Sequence, residues 1–538
     1  MRTVHKQGDK RMERKGIISK NSTSEETPPL VRAMLRPDFY PHRPIGVELI
    51  QTHISWVFLA GKHVYKVKKP VNFGFLDFST RLRRRQACAE EVRLNQRITH
   101  GLYLGTAAIY RRGDTFSLSP SGRDVESAVV MRRLPGGRLL SALLAHGRAT
   151  TAQIRKVARR IAAFHAVAEP ALPALQRLSV LQKNLRENFQ QTLPYLGRTV
   201  RESDYLVVWN YNRNFLEYRR ELLEKRIRDG RLRDGHGDLH AEHICLDKGV
   251  QIYDCIEFSP RIRQGDTAAD IAFLYMDLLY HGHPILARVL MEEYLQRTRD
   301  WEVRLLLPFY ACYRAVVREK VESFRITDQS IPKREKTAAA SRAARYFSLA
   351  RELAEGDARP RLILMGGLPG TGKSTVALTL STRIGADYLN SDIIRKGLAG
   401  IEPVTSSPDA LGEGIYRSAM TELTYAELLV QAESALRAGR SMVLDATFSS
   451  KKRRQQARAL SRRTGALTVM VECSCPAKVV RKRLEARQIG GGVSDAGWEI
   501  YKALRKNYEA AGASAVKVDT TKPLEEGLAR IARAAYPF

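Results

Sequence analysis

The sequence predicts a multidomain chain in which a mixed α+β region is followed by an α/β region with a parallel sheet flanked by helices. A chain of 538 residues is too long for one hydrophobic core, and its 44% apolar content is typical of a globular protein. Short β-type runs from about residue 38 give way to long amphipathic stretches. Further along, the apolar run 362–365 leads into a glycine-rich stretch and a helix-compatible segment, which predicts a strand, a loop and a helix.

The glycine-rich stretch is the most informative part of the chain. Residues Gly367 to Ser374 fit the pattern G-x-x-x-x-G-K-[ST] between a predicted strand and a predicted helix. In such a loop, backbone N–H groups surround phosphate oxygens, the lysine binds the β and γ phosphates, and the hydroxyl faces Mg²⁺. The sequence therefore predicts ATP and Mg²⁺ as cofactors, with the nucleotide bound by Gly367, Leu368, Pro369, Gly370, Thr371, Gly372, Lys373, Ser374 and Thr375.

Charge and cysteine content limit the partners and the compartment. The chain has 89 Lys and Arg against 57 Asp and Glu, a net charge of +32, which favours nucleotides, nucleic acid or an anionic membrane surface. Solvated basic faces in an arginine-rich chain are the alternative. The six cysteines lack paired C-x-x-C spacing, which fits a reducing cytoplasm. No signal peptide or membrane span is expected, because the most apolar stretch, 272–290, contains Asp277 and several histidines.

Composition divides the chain into four parts. Residues 1–37 are polar and charged, which predicts a disordered basic extension. The first folded domain is expected at 38–345. A stretch rich in Ala, Arg and Glu then breaks at glycine and proline, which places a linker at 346–360. The second domain, with the glycine-rich loop, is expected at 361–538.

A lysine and a glutamate in the first domain suggest phosphate binding. Two β-type runs between residues 56 and 68 predict a hairpin, and Lys66 and Lys68 share one face of its second strand. The helical stretch 81–99 follows and carries Glu91. A strand lysine with a helix glutamate is how protein kinases hold the α and β phosphates.

A second group of polar residues follows later in the same domain. Asp238 lies in the loop sequence HGDLHAEH, and Asp254 ends the next predicted strand. A loop aspartate can accept a hydroxyl proton, and an acid at a strand end can hold Mg²⁺. The alternative is a zinc site formed by His236, His240 and His243. No cysteine lies at the spacing of a zinc ligand to complete it.

The sequences HGDLHAEH, IYDCIEF and GDTAADIAF resemble those of the aminoglycoside phosphotransferase-like enzymes, which have a bilobal, protein-kinase-like fold, over roughly residues 40–345. The resemblance implies that Asp238 is the catalytic base and that Asp254 binds the metal, with Glu257 as a second acidic candidate. It further implies structural roles for Asp266 and Asp270. It also implies that Lys66, with Lys68 as the competing choice, pairs with the phosphates and that Glu91 is its partner on the helix.

One position departs from the family pattern. His243 stands where these enzymes carry a metal-binding asparagine. Because imidazole is a poorer ligand for Mg²⁺ than an oxygen, the resemblance leaves three outcomes open. The domain binds one metal, with His243 among the candidate ligands, or it prefers another metal, or it is a weak catalyst.

The C-terminal part contains further groups that phosphoryl transfer uses. Asp392 and Arg395 are three residues apart, so one helical face can present a carboxylate to an acceptor hydroxyl and a guanidinium to a phosphate. An N-cap role for Asp392 fits equally well. Asp445 ends an apolar strand, where a Walker-B-type carboxylate would orient Mg²⁺ together with Ser374.

A mobile lid is predicted from the glycine- and serine-rich stretch 490–496, which follows Arg487. Arg487 would close over the phosphates, with Arg481 or Arg483 assisting. The alternative for each arginine is a solvated basic helix face.

Taken together, GGLPGTGKST, NSDIIR, VLDATF and the lid segment resemble the small P-loop kinases of the polynucleotide kinase and zeta-toxin-like group over residues 360–538. By this resemblance Asp392 is the general base, Arg395 binds an acceptor or reactive phosphate, and Arg487 is the lid arginine. The whole chain resembles bacterial two-domain proteins that join an aminoglycoside phosphotransferase-like domain to a P-loop kinase.

The function that follows is ATP-dependent transfer of the γ-phosphate to a hydroxyl, with the P-loop domain as the leading catalyst. The acceptor is expected to be a small molecule or a polynucleotide end. Two other classes remain: a nucleotide-regulated binding protein with a degenerate N-terminal kinase domain, and an RNA-associated protein whose basic charge supplies the affinity.

Overall fold

The computed structural model of the protein describes residues 27–74, 76–328, 331–402, 414–490 and 496–538, with only the backbone at 488–490. These residues form two compact units. The first unit comprises the described part of Met1–Ala149 together with His236–Arg263, and the second comprises that of Thr150–Gly235 together with Gln264–Phe538. None of the helices in these ranges combines the length and apolarity needed to cross a bilayer.

The strands of the described residues are, in chain order, β1 (Val47–Gln51), β2 (Ser55–Ala60), β3 (His63–Lys68), β4 (Tyr103–Arg112), β5 (Thr115–Ser117), β6 (Arg123–Arg132), β7 (Leu232–Asp234), β8 (Ile244–Cys245), β9 (Gln251–Ile252), β10 (Gln264–Asp266), β11 (Arg361–Gly366), β12 (Asp387–Asn390), β13 (Met442–Asp445), β14 (Leu467–Ser474) and β15 (Val516–Asp519).

The helices are α1 (Pro29–Met34), α2 (Arg81–Gln96), α3 (Leu140–Ala145), α4 (Thr151–Val167), α5 (Leu178–Thr192), α6 (Glu202–Tyr218), α7 (Arg220–Arg228), α8 (Pro260–Arg263), α9 (Thr267–Tyr280), α10 (Pro284–Thr298), α11 (Val303–Thr327), α12 (Lys333–Ala358), α13 (Lys373–Ile384), α14 (Ser391–Leu398), α15 (Ser418–Arg437), α16 (Lys451–Thr464), α17 (Ala477–Gly490), α18 (Trp498–Lys506) and α19 (Leu524–Ala535).

The first unit is built on an antiparallel sheet with the strand order β1-β2-β3-β6-β4-β5. Side chains alternate between its faces, so Tyr65 and Val67 of β3 enter one apolar cluster while Val64 enters the other. Helix α2 starts at Thr80, whose hydroxyl accepts a hydrogen bond from the Arg83 N–H at 3.3 Å. Its Cys88 joins the Val64 cluster, so α2 packs on the sheet face that also carries Lys66 and Lys68.

The predicted disordered extension, 1–37, is wrong for residues 29–34. Residues 1–26 lie outside the described part, but α1 is a helix whose Val31 and Met34 are buried in the first unit. These two residues are three apart and so share one helix face. The Tyr40 hydroxyl donates a hydrogen bond to the Met34 carbonyl oxygen at 2.6 Å, which ties the helix end to the chain that follows.

The second unit contains a helical region and the P-loop domain. The helical region comprises α4–α7 and α9–α12, with the antiparallel pair β7 and β10. The P-loop domain has a parallel sheet with the order β12-β13-β11-β14-β15. Its middle strand β11 is buried along its whole length, as expected for a strand covered by helices on both faces. These sheets confirm the predicted fold class.

The segment predicted as a linker, 346–360, is helical over most of its length. Residues up to Ala358 belong to α12, and Tyr346, Phe347, Ala350 and Ala354 are buried. Apolar residues spaced three to four apart form a helix face that packs rather than a flexible connection. The Tyr211 hydroxyl donates a hydrogen bond to Asp357 at 2.9 Å, close to the end of the helix.

Ion pairs and the C-terminal residues join the helical region to the P-loop domain. Arg383, at the end of α13, pairs with Glu302, and the Trp301 indole donates to Glu525 of α19 at 2.8 Å. Two buried arginines of the helical region contact Tyr536: Arg219 donates to its hydroxyl at 2.8 Å and Arg304 to its carbonyl oxygen at 3.0 Å. These contacts make one packed unit of the two parts.

The close approach at Gly385 generates a stability prediction. Gly385 ends α13 with φ +54°, and a Cβ there would overlap the carbonyl oxygen of Tyr218 at the end of α6. We expect Gly385→Ala to lower the free energy of unfolding by clearly more than the about 1 kcal/mol that a left-handed alanine costs. Denaturant titration followed by circular dichroism measures the difference.

Gly465→Ala is the matched control, because Gly465 ends α16 with φ +70° and a Cβ there meets nothing within 4 Å. It should show only the left-handed cost. Equal losses in the two variants would contradict the packing of α13 against α6.

Candidate functional site

The phosphate loop connects the buried strand β11 to helix α13. The helix begins at Lys373, and Gly372 precedes it in the left-handed conformation at φ +81°. A Cβ at Gly372 would lie 3.2 Å from Arg483 and 3.3 Å from Thr520, so glycine serves both the backbone angle and the close packing. The first N–H groups of α13 have no partner within the helix, which makes its N-terminus suited to phosphate oxygens.

Parallel strand register brings the predicted groups of the P-loop domain to one edge of the sheet. Asp445 at the end of β13 is level with Met365 of β11, one residue before the loop strand ends. Asn390 at the end of β12 is level with Asp445 on its other side. Since neighbouring strands lie about 4.8 Å apart, the phosphate loop, Asp445 and the start of α14 lie side by side.

Asp445 is held by two donors through one oxygen only. The Tyr388 hydroxyl and the Asn390 amide each donate to Asp445 Oδ2 at 2.7 Å. Asp445 is 1% exposed, and its Oδ1 has no hydrogen-bond partner among the described residues. A buried carboxylate oxygen without a hydrogen-bond partner costs free energy. A cation, or water bound to it, would supply the missing partner. With the Ser374 hydroxyl at the start of α13, these residues fit Mg²⁺.

Asp392 and Arg395 lie in the first turns of α14. The N-cap of this helix is Asn390, whose side-chain oxygen accepts from the Asp392 N–H at 2.8 Å, so the N-cap role considered for Asp392 is wrong. Arg395 donates through Nη1 to Asp392 Oδ1, and its guanidinium lies 4.9 Å from the centre of the Tyr416 ring. These contacts orient the pair of Asp392 and Arg395.

A cavity of 360 Å³ opens over the phosphate loop. Arg487 and Arg483 both line it, and Arg487 also donates to the Ala496 carbonyl oxygen at 2.7 Å. Arg481 is not among its lining residues and instead pairs with Glu485 on the surface at 2.8 Å. The remaining lining residues come from the loop, from α13 and from the segment around β15, and include Lys373, Ser374, Thr375, Asp519, Thr520 and Lys522. Residues 491–495 of the predicted lid lie outside the described residues.

The first unit contains the second predicted centre, a group of buried charges on β3, α2 and the chain after β9. Lys66 Nζ is 3.0 Å from Glu91 Oε1 and also pairs with Asp254. Lys68 bonds the other oxygen of Glu91 and pairs with Glu257, and its side chain is fully buried. Glu91 therefore bridges both lysines. Of the two lysines, Lys66 retains some exposure, 11% of its side chain, whereas Lys68 has none.

Charges around Lys66 and Asp254 keep both groups ionised. Burial would lower the pKa of Lys66, but Asp254 and Glu91 raise it well above its usual range. Burial would likewise raise the pKa of Asp254, and the charge of Lys66 overrides this and holds it below its usual range. Asp254 also has a left-handed backbone at φ +65°, an uncommon conformation for a residue with a side chain.

The loop 236–243 places Asp238 between two histidines. His240 Nε2 is 3.4 Å and His243 Nδ1 is 3.6 Å from Asp238 Oδ2, while His243 Nε2 is 3.5 Å from Asp254 Oδ2. His243 thus links the predicted base to the predicted metal acid. Burial, followed by the nearby His240, lowers its pKa, which favours the neutral imidazole.

His236 does not belong to the predicted zinc site. Its Nε2 donates to the Tyr253 carbonyl oxygen at 3.0 Å, and its Nδ1 accepts from the Asp238 N–H at 3.3 Å. Both nitrogens are therefore used to shape the loop. The three side chains whose ligand atoms lie within 4.8 Å of one another are Asp238, His240 and His243.

The acids with predicted structural roles lie in the second unit. Asp266 caps α9 by accepting from the Ala268 N–H at 2.8 Å, and it also forms an ion pair with the fully buried Arg226. Asp270 is 3.2 Å from His165 Nε2 in the core. Both positions are in agreement with structural roles.

The comparisons with known proteins match two parts of the chain. Residues 74–307 match the family model described as the phosphotransferase enzyme family, and residues 362–511 match the one described as an AAA domain. The uncharacterized proteins Rv2004c of Mycobacterium tuberculosis and Mb2027c of Mycobacterium bovis are each 33% identical to this chain over 485 residues, which cover 90% of this chain and 94% of theirs. The chain belongs to their family. It joins a phosphotransferase domain to a C-terminal P-loop kinase domain, which confirms the family resemblance.

Two solved structures are similar to parts of the chain. A choline/ethanolamine kinase family protein from Mesorhizobium loti is 13% identical with a TM-score of 0.36 and covers 60% of this chain and 99% of its own. A gluconokinase from Sinorhizobium meliloti is 21% identical with a TM-score of 0.25 and covers 33% of this chain and 94% of its own.

Several residues of the sites were not predicted from the sequence. Tyr388 and Asn390 hold Asp445, Tyr416 stacks on Arg395, and Thr520 accepts from Arg483 at 2.9 Å. A signal existed for Asn390, because it ends a strand next to Asp392. No local signal existed for Tyr416 or Thr520, because they lie 21 and 37 residues from Arg395 and Arg483, the arginines that they contact.

The hydrogen bond from Tyr388 to Asp445 generates a testable prediction. Tyr388→Phe removes one of the two donors that orient the carboxylate, so we expect the affinity for Mg²⁺-ATP to fall about 10-fold, as for other supporting residues of metal sites. Affinity for ATP in the presence of EDTA should not change. Isothermal titration calorimetry of a non-hydrolysable ATP analogue measures both.

Tyr508→Phe is the matched control, because the Tyr508 hydroxyl has no hydrogen-bond partner among the described residues. It should bind like the wild type in both conditions. If Tyr388→Phe also lowers the affinity for ATP in the presence of EDTA, Tyr388 acts on the nucleotide rather than on the carboxylate.

Proposed function

We propose that the protein is an ATP-dependent phosphotransferase whose P-loop domain transfers the γ-phosphate to a hydroxyl of an acceptor. The observation that carries this proposal is the group at the carboxyl edge of the parallel sheet. There the phosphate loop, the partnerless oxygen of Asp445 and the oriented pair of Asp392 and Arg395 come together. A nucleotide switch or motor needs the first two features, whereas a carboxylate for an acceptor hydroxyl is what a kinase adds.

Each residue has a role in this reaction. Lys373 and the N–H groups at the start of α13 bind the β and γ phosphates, while Arg483 and Arg487 add positive charge from the other wall of the cavity. Mg²⁺, when bound near Ser374 and Asp445, supplies neutralisation of phosphate charge. Asp392 accepts the proton of the acceptor hydroxyl as its oxygen attacks the γ-phosphorus. The bond to the bridging oxygen then breaks, and ADP leaves with that oxygen.

The size and lining of the cavity are consistent with a nucleotide. Its volume of 360 Å³ lies in the range of small-molecule sites, and its polar residues surround the phosphate end. Lys522, Pro523 and Gly527 line the part formed after β15, away from the loop in sequence. We assign this part to the nucleoside. The acceptor remains a small molecule or a polynucleotide end.

For the first unit we propose nucleotide-phosphate binding through Lys66, with Asp238 as the candidate base and Asp254 as the metal acid. A second candidate role, nucleotide-dependent binding without transfer, is favoured by one observation. One carboxylate oxygen of Asp254 is already engaged by Lys66, and the imidazole of His243 lies 3.5 Å from the other. A cation would have to replace one of these contacts.

Loss of the loop lysine gives the first test of the proposal. In Lys373→Met we expect ATP affinity and phosphate transfer to fall by at least about 100-fold, because the positive charge at the β and γ phosphates is removed. Transfer is measured from ATP labelled at the γ-phosphate to sugars, aminoglycosides, nucleosides and 5′-hydroxyl oligonucleotides. Lys502→Met, which removes an exposed lysine paired with Glu499, is the control and should be unchanged.

The two candidate bases give the second test. Asp392→Asn should lower kcat by about 10²- to 10⁴-fold while ATP affinity stays unchanged, because a general base acts only on the chemical step. Asp238→Asn should leave the same transfer reaction intact. If Asp238→Asn abolishes transfer and Asp392→Asn does not, the first unit is the catalyst and the assignment to the P-loop domain is wrong. If no acceptor is phosphorylated and no ATP is hydrolysed, the kinase proposal fails.

A further inference from the structure

The cluster of Asp238, His240 and His243 has the composition of a transition-metal site. Its three ligand atoms lie within 4.8 Å of one another, and two imidazoles with one carboxylate are a ligand set used for zinc. Such a set is poorly suited to Mg²⁺, which prefers oxygen. The cluster is therefore chemically different from the Mg²⁺ environment around Asp445.

The distances within the cluster fit one tetrahedral ion. With metal–ligand bonds of about 2.0–2.1 Å, two ligands of a tetrahedral ion are separated by about 3.3–3.4 Å. The separations from Asp238 Oδ2 are 3.4 Å to His240 Nε2 and 3.6 Å to His243 Nδ1. These two separations therefore need to change by only a few tenths of an ångström to hold the ion, and all the ligand atoms of the cluster lie within 4.8 Å of one another.

The far nitrogen of each imidazole faces a second carboxylate. His243 Nε2 is 3.5 Å from Asp254 Oδ2, and His240 Nδ1 is 3.8 Å from Glu242 Oε2. Metal-bound histidines commonly donate their other N–H to a carboxylate, which fixes the tautomer and makes the ligand nitrogen more basic. Each of the two imidazoles therefore has a carboxylate near its far nitrogen, which is where a carboxylate–histidine–metal arrangement places it.

The ring of His243 has to change its tautomer to bind an ion. At present its Nδ1 donates to the Asp238 carbonyl oxygen at 2.9 Å. Moving the proton to Nε2 exposes the Nδ1 lone pair and points the N–H at Asp254. The bond to the carbonyl oxygen is lost and a bond to a carboxylate replaces it, so the exchange is nearly balanced.

We propose that Asp238, His240 and His243 bind a borderline transition-metal ion, with Zn²⁺ as the best fit, in a tetrahedral site whose fourth position is open. The site goes beyond the phosphotransferase function proposed above. If the assignment of Asp238 as a base holds, an ion on its Oδ2 would also withdraw that oxygen from proton transfer.

The test uses untagged, full-length, metal-stripped protein. Calorimetric titration with Zn²⁺ should show one ion per chain, and Co²⁺ should give the visible absorption bands of a tetrahedral complex that Zn²⁺ then abolishes. Excess Mg²⁺ should not displace the ion. His240→Ala and His243→Ala should each weaken Zn²⁺ binding by more than about 100-fold. Loss of a residue that only supports a metal ligand costs up to about 100-fold, and these two histidines are themselves the proposed ligands.

Two further variants make the result decisive. Glu242→Gln, at an exposed carboxylate, should weaken Zn²⁺ binding about 10-fold without affecting folding. His146→Ala removes an exposed histidine of the first unit and should bind like the wild type. The proposal is overturned if the wild type binds no ion, or if Glu242→Gln and both folded histidine variants bind like the wild type. Circular dichroism shows which variants are folded.

Discussion

The parallel pairing of β11 with β13 is the constraint on which the P-loop site depends. It places Asp445 level with the last residues of the strand that enters the phosphate loop, and β12 extends the same alignment to Asn390. Because all these strands run in one direction, their carboxyl ends carry the phosphate loop, Asp445 and the start of helix α14 to a single edge. A change of one residue in register would move Asp445 to the other face of the sheet.

Hydrogen bonding at this edge is incomplete in a way that points to a ligand. Tyr388 and Asn390 both bind the same oxygen of Asp445, and Asn390 uses its own side-chain oxygen to cap α14. One amide therefore positions both the carboxylate of Asp445 and the helix that carries Asp392. This shared residue couples the geometry of the two groups, so neither can shift independently.

The first unit depends on charges rather than on strand alignment. Glu91 bridges Lys66 and Lys68, which lie on one face of β3, and these lysines in turn bind Asp254 and Glu257. Buried charges are tolerated only when each has a partner, so β3, α2 and the chain after β9, which supply them, must be in place together. Lys68 and Glu257 balance buried charges, and the Lys68 side chain has no exposed surface. The Lys66 side chain is partly exposed to solvent.

Local sequence determined the elements that carry chemistry. The hairpin with Lys66, the helix with Glu91, the strand before the phosphate loop and the acid at the end of β13 all follow from periodicity and turn residues, which act over a few neighbours. Tertiary structure alone decided which groups meet. It buried Lys68 fully and left Lys66 partly exposed, grouped Asp238 rather than His236 with His240 and His243, and packed 346–358 as a helix where composition suggested a linker. These outcomes depend on contacts between residues far apart in the chain, and no local pattern contains that information.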